Sequence, residues 1–170
     1  LESVQFDLHA LVNDCLDIFR NRADSQTIEL ISFVHPDVPR TINGDPTRLR
    51  QVLMNLLGNA LRCTDQGEIL LVVGVEPQGT GQQLRFAMSD QARDCLLKVL
   101  PNSSRLLDQA DGNGHLGLLI ASQLIHMMEG QVGIKYASEQ GNSIWFTLPL
   151  EKAHGFVEPD TEGRCLLERR

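Results

Sequence analysis

The sequence predicts an α+β fold, a two-layer α/β sandwich in which a mixed, mostly antiparallel sheet carries helices on one face. Residues 45–64 have the apolar spacing of a single amphipathic helix. Two pairs of apolar, β-branched segments, at 68–89 and 131–150, are typical of hairpins. The predicted order of helix, strand, helix, hairpin, loop, helix and hairpin then places helices against an antiparallel sheet.

The chain is predicted to open with an amphipathic helix over 6–24, because apolar residues lie on one side and Asp, Asn and Arg on the other. Residues 27–34, TIELISFV, are rich in β-branched residues and predict a strand that ends at His35. The segment 36–44 contains two prolines and an Asn-Gly pair, so we expect a connection. His35 is interpreted as a surface residue, since no second metal ligand lies at a suitable spacing.

The helix over 45–64, DPTRLRQVLMNLLGNALRCT, is the element around which the chain is organised. Asp45 is a good N-cap and Pro46 is favourable at the first helical position. One stripe faces a core and comprises Leu49, Val52, Leu53, Leu56, Leu57, Ala60 and Leu61. Asn55, Asn59 and Arg62 share a second stripe beside it. Amides in mid-helix are poor helix formers, which indicates a function, although a solvated polar face is the alternative.

The second half of the chain predicts two hairpins and one helix. The strands are expected at 68–75, 83–89, 131–136 and 143–150, with an irregular segment over 90–114 that has a short helical patch near 95–100. The helix is expected over 116–128 and ends at Glu129-Gly130. Its predicted inner face is Leu116, Leu119, Ile120, Leu124 and Met128. His126 is interpreted as a flanking residue.

Composition limits the function classes. The net charge of -7 disfavours a nucleic-acid partner. No run of 18 apolar residues occurs, so direct membrane contact is not expected, and without a leader pattern Leu1 is expected to follow earlier segments of a longer protein. The four cysteines are far apart without a C-x-x-C pair, which favours buried or free thiols in a reducing cytoplasm. We expect one domain over 1–151 and a tail or linker over 152–170.

The segment QVLMNLLGNALRCT resembles the N box of the ATP-binding domain of sensor histidine kinases, whose usual form is close to QVLxNLxxNAxKFT. The resemblance implies the Bergerat fold that histidine kinases share with gyrase, Hsp90 and MutL. It implies Mg-ATP as the ligand, with Asn59 as the magnesium ligand, Asn55 as its helper and Arg62 as the phosphate contact. Arg62 replaces the usual Lys and keeps its charge, whereas Cys63 replaces an aromatic residue that would cover the nucleotide.

The two glycine boxes of that family are only partly present. In the first box Asp90 matches the adenine-binding Asp, while Ala92 and Asp94 replace glycines. In the second box Gly112, Gly114 and Gly117 are kept, while His115 replaces a glycine. If three such residues must hold left-handed backbone, the cost is about 3 to 6 kcal/mol. That corresponds to a loss of affinity on the order of 10² to 10⁴, so weak or absent Mg-ATP binding is expected.

The resemblance also sets expectations for activity and partners. A gyrase-like ATPase needs a general base where this chain has Asn55, and an amide cannot take the proton. None of the five histidines lies in an H-E-x-x-x-P setting, so the phosphoacceptor is expected in the dimerisation domain of the same parent protein. We expect a regulatory, protein-binding role in a hybrid sensor kinase, with another sensor kinase as a possible partner; the alternative is an active kinase domain. The parent is expected to be anchored in the inner membrane of a bacterium, with this domain in the cytoplasm.

Overall fold

The computed structural model describes residues 2–90, 114–137 and 141–152. The helices are α1 (Leu8–Ser25), α2 (Pro46–Cys63) and α3 (Gly114–Met127). The strands are β1 (Val4–Asp7), β2 (Ile28–Val34), β3 (Thr41–Gly44), β4 (Gly67–Gln78), β5 (Gly81–Asp90), β6 (Gln131–Ala137), β7 (Gly141–Pro149) and β8 (Glu151–Lys152).

The main sheet has five strands in the order β2-β4-β5-β7-β6. Strand β2 pairs with β4 in parallel, and the other neighbours are antiparallel, so the sheet is mixed as predicted. Both predicted hairpins are confirmed, although β4 and β5 extend further toward their turn than expected. In β4 the residues Ile69, Leu71 and Val73 are buried and alternate with half-buried ones, because the helices cover one face of the sheet.

A second, three-stranded sheet of order β1-β3-β8 was not predicted. Strand β1 takes the start of the segment expected to be helical, so α1 begins at Leu8 with Asp7 as its N-cap. Strand β3 takes the end of the expected connection and pairs with β1 from Val4 opposite Gly44 to Asp7 opposite Thr41. Each of these two strands has four residues, which is too short for an alternating pattern to be recognised.

The stripe of seven apolar residues predicted on α2 is confirmed. Each of these side chains is at most 3% exposed. Asp45 caps the helix by accepting the N–H of Arg48, and Pro46 is its first residue, as expected. Helix α2 packs against both α1 and α3, so its position is fixed on two sides.

The predicted inner face of α3 was wrong in part. Leu116 is 60% exposed, whereas Leu118, Ala121 and Ile125 are buried. Leu124 is buried as predicted. Apolar residues occur almost all round this helix, so the spacing alone does not decide which side faces the core.

The end of α3 is held close to β7. Glu129 has a positive φ of 59°, and the N–H of Gly130 donates to the carbonyl oxygen of Ile125, which closes the helix. A Cβ at Gly130 would overlap the carbonyl oxygen of Thr147 in β7. A glycine is therefore required for this close approach, and it fixes the helix relative to the sheet.

Several smaller expectations can be compared with the structure. Cys15 is a buried free thiol, and His35 and His126 are exposed, as predicted. No helix in the described ranges is both long and apolar enough to cross a bilayer. Lys152, assigned to the tail from the sequence, lies in β8 opposite Ile42. The rest of the expected tail lies outside the described residues, so the domain boundary stays a prediction.

The N-cap of α2 generates a pH prediction. Burial tends to raise the pKa of Asp45, but the N–H groups of Arg48 and Glu2, which donate to its carboxylate, outweigh this and hold the pKa below its usual 3.8. The stabilisation is therefore complete above pH 5 or so and is lost as the pH falls through the lowered value. We expect D45A to lose about 1 kcal/mol at pH 7 in urea unfolding, because the cap is removed.

The control is D45N, which keeps an oxygen that can cap the helix but lacks the titratable carboxylate. It should be nearly as stable as the parent at pH 7 and lose less stability than the parent on acidification. A D45N protein as unstable at pH 7 as D45A would contradict this account of the cap.

Candidate functional site

The polar stripe of α2 lies directly beside its buried stripe. Asn59 is only 6% exposed, Asn55 is half-buried and Arg62 is exposed. The first two therefore lie at the edge of the core rather than on a solvated face. This argues against the alternative that the stripe is simply a solvent-facing surface.

Helix α3 brings Gly117 against these amides. A Cβ at Gly117 would lie 3.4 Å from Oδ1 and 3.5 Å from Nδ2 of Asn59, and 3.7 Å from Oδ1 of Asn55. These are ordinary contact distances, so alanine would fit but would fill the space beside the amides. Gly117 is more than fifty positions away from Asn55 and Asn59 in the sequence. The three residues, which were predicted to belong to one site, therefore meet where α2 contacts α3.

The amide of Asn55 has an unsatisfied donor. Its Nδ2 atom is buried and has no hydrogen-bond partner among the residues that the structure describes. A buried N–H without a partner costs about 1 to 3 kcal/mol, so such a group usually has a purpose. A polar ligand oxygen between α2 and α3 would provide the missing acceptor.

Arg62 and Asn59 contact each other. Nη2 of Arg62 donates a hydrogen bond to Oδ1 of Asn59, one turn earlier on the same helix. The sequence had assigned these two residues separate roles, one for the phosphates and one for magnesium. Their spacing of three residues could have predicted the contact, since such pairs are neighbours on a helix.

The remaining predicted site residues are placed by the backbone only, or not described. Asp90 is the last residue of β5, opposite Ile69 in β4 and Asn142 in β7. Gly114 is the first residue of α3. Gly112, Ala92, Asp94 and most of the irregular segment predicted over 90–114 lie outside the described residues, as does the side chain of His115.

A separate cavity of about 210 Å³ lies between β3 and the C-terminal end of α3. Its lining includes Phe6, Asp45, Glu129 and Glu151. It does not include Asn55, Asn59, Arg62 or Gly117. Over the described ranges no three His, Cys, Asp or Glu side chains cluster as metal ligands. The metal role predicted for Asn59 from the resemblance is thus not supported by a cluster of such ligands in the described ranges.

The family comparison decides what kind of domain carries this arrangement. The family described as histidine kinase-, DNA gyrase B-, and HSP90-like ATPase matches residues 44–152. The chain belongs to this family. The match begins just before α2 and ends at β8, so it contains the whole α2–α3 contact.

Comparison with individual proteins narrows the assignment from this ATPase family to sensor histidine kinases. The sensor histidine kinase GacS of Pseudomonas protegens is 33% identical over 100% of this chain and 19% of its own length. The signal transduction histidine-protein kinase BarA of Escherichia coli is 26% identical, with the same two coverages. The structure of full-length ShkA in complex with AMPPNP has 31% identity and a TM-score of 0.73, covering 90% of this chain and 32% of ShkA.

These matches confirm the resemblance and the fold class predicted from the sequence. The chain corresponds to the ATP-binding catalytic domain of sensor histidine kinases. It spans about a fifth of the length of GacS and BarA.

Magnesium does not fit the site as it stands. An amide oxygen is a suitable ligand for this ion, but Oδ1 of Asn59 already accepts a hydrogen bond from Arg62. A divalent ion and a guanidinium about 4 Å apart repel by about 8 kcal/mol at an effective dielectric constant of about 20, twice the value for two unit charges. Arg62 and magnesium therefore compete for the same oxygen.

The unsatisfied donor of Asn55 generates a stability prediction. We expect N55A to raise the free energy of unfolding of the ligand-free protein by about 1 kcal/mol, because it removes a buried unpaired N–H and improves helix propensity. Urea unfolding measures the change. The matched control is N13A on the exposed side of α1, which reports the propensity gain alone. A less stable N55A protein would show that the amide has a partner in the folded chain.

Proposed function

We propose that this chain binds ATP as the catalytic domain of a hybrid sensor histidine kinase. The observation that supports it is the contact of Gly117 with the amides of Asn55 and Asn59. It joins the N-box helix to the helix that begins in the second glycine box, which is where this family holds the phosphates. The unpaired Nδ2 of Asn55 supplies a donor for a polar ligand at that point.

The chain's own residues have distinct roles in this proposal. Asp90, at the end of β5, accepts a hydrogen bond from the adenine amino group. Arg62 contacts the phosphates from α2, and the backbone of Gly112 and Gly114, the glycines of the second glycine box, approaches them. Asn55 and Asn59 orient the phosphates. The nucleotide supplies the phosphoryl group, and the chain supplies binding and position.

We propose further that the chain binds the nucleotide weakly. Ala92, Asp94 and His115 replace glycines of the two glycine boxes, and Asp94 adds a negative charge that repels a triphosphate. His115 is the second residue of α3, so its cost is the size of its side chain and not the left-handed backbone that was expected there. The parent protein would then act mainly through contact with its partners. The second candidate is a fully active kinase domain, and the complex of the 31% identical ShkA with AMPPNP favours it.

The partners in this proposal are other parts of the same protein. We propose that the phosphoacceptor histidine lies in a dimerisation domain of the same parent protein. The fact that the chain spans about a fifth of the length of GacS and BarA supports this. A second sensor kinase is the alternative partner. The parent protein is proposed to be anchored in the bacterial inner membrane, with this domain on the cytoplasmic side.

Calorimetric titration with AMPPNP tests the proposal. We expect binding with a dissociation constant above about 100 μM, because the non-glycine residues cost roughly two orders of magnitude or more. The triple variant A92G/D94G/H115G should bind more tightly than the parent. A low-micromolar constant for the parent would favour the fully active kinase, and no binding even at millimolar nucleotide would contradict the ATP-binding function.

A further inference from the structure

We propose that Arg62 replaces the magnesium ion in this site, so that nucleoside triphosphate binds without a divalent cation. The inference rests on the proposed ATP-binding function and specifies its chemistry. The observation behind it is the hydrogen bond from Nη2 of Arg62 to Oδ1 of Asn59. The amide oxygen expected to hold the ion is used by a permanent cation of the chain itself.

Asn59 cannot easily turn this oxygen elsewhere. Its side chain is only 6% exposed. The flanking residues Leu56 and Ala60 are buried, so the helix itself does not rotate. The amide is therefore held where a guanidinium three residues later can reach it.

A guanidinium is well suited to this replacement. It is planar, is charged at every relevant pH and has five donors, so it can hold Asn59 and contact a phosphate with two further N–H groups. A lysine ammonium is a compact point charge on a flexible stem, which lacks this forked geometry and leaves the amide oxygen available to a metal. The change from the usual Lys to Arg62 thus alters which cation balances the phosphates.

The described residues offer magnesium no cluster of acidic ligands. Over the described ranges no three His, Cys, Asp or Glu side chains come together. Magnesium in phosphoryl-transfer sites is usually bound by one or two carboxylates besides the phosphates. With Oδ1 of Asn59 bonded to Arg62, Oδ1 of Asn55 also faces this contact, but it is a neutral amide oxygen and therefore a weaker ligand than a carboxylate.

The experiment is an AMPPNP titration of the full 170-residue chain, with magnesium present and with EDTA. We expect the parent's affinity to change by less than about threefold between the two conditions. In R62K the amide oxygen is released, so magnesium should raise the affinity by about tenfold or more. The matched control is R50K, the same substitution on the same helix, where Arg50 pairs with Asp14 at 3.3 Å. R50K should behave as the parent does in both conditions.

Each outcome has one meaning. Parent binding of equal strength with and without magnesium, together with magnesium dependence in R62K, supports the replacement. Parent binding that requires magnesium overturns it and leaves the ATP-binding function in place. Metal-independent binding in both parent and R62K also overturns it, because Arg62 is then not the cause. No binding in either condition overturns the ATP-binding function and the replacement together.

Discussion

The burial of the α2 stripe is the constraint on which the rest of the structure depends. Seven apolar side chains of this helix are buried, so its rotation about its own axis is fixed. At about 25 cal/mol per Å² of apolar surface, the Leu and Val side chains among them each stabilise the fold by roughly 1.5 to 3 kcal/mol. A rotation of the helix that exposed them would cost far more free energy than solvation of the polar stripe could recover. The amides of Asn55 and Asn59 must therefore lie at the edge of the core.

The position of α3 completes the site for a separate reason. Its apolar residues Leu118, Ala121 and Ile125 are buried, and its C-terminal end is fixed by the close approach of Gly130 to β7. This places Gly117, which has no side chain, at the amides of α2. The same packing that stabilises the sandwich thus leaves a space beside two polar groups, one of which has an unsatisfied donor. A buried donor of this kind costs stability when it has no partner among the described residues.

Much of the fold follows from the sequence because its signals are local. The α2 helix, its N-cap and both hairpins have clear periodicity, capping or turn residues, and all were predicted. Strands β1 and β3 were missed because each has four residues and pairs with a distant segment. The α3 face was wrong at Leu116 because apolar residues surround that helix, so only tertiary packing selects the side. The common stripe of Asn55, Asn59 and Arg62 was predicted from spacing and their roles from the resemblance to the N box. The bond between Arg62 and Asn59, which their spacing also permits, was not predicted.

The central claim is that nucleotide binds at the contact of α2 and α3, and side-chain NMR tests it most directly. In a ¹⁵N-labelled chain, the amide NH₂ signals of Asn55 and Asn59 and the guanidinium signal of Arg62 can be followed during addition of AMPPNP. The account predicts that these three signals shift together with nucleotide concentration, while that of Asn13 on α1 does not move. Unchanged signals for all three, with shifts confined to residues such as Phe6 and Glu129 around the separate cavity, would contradict it.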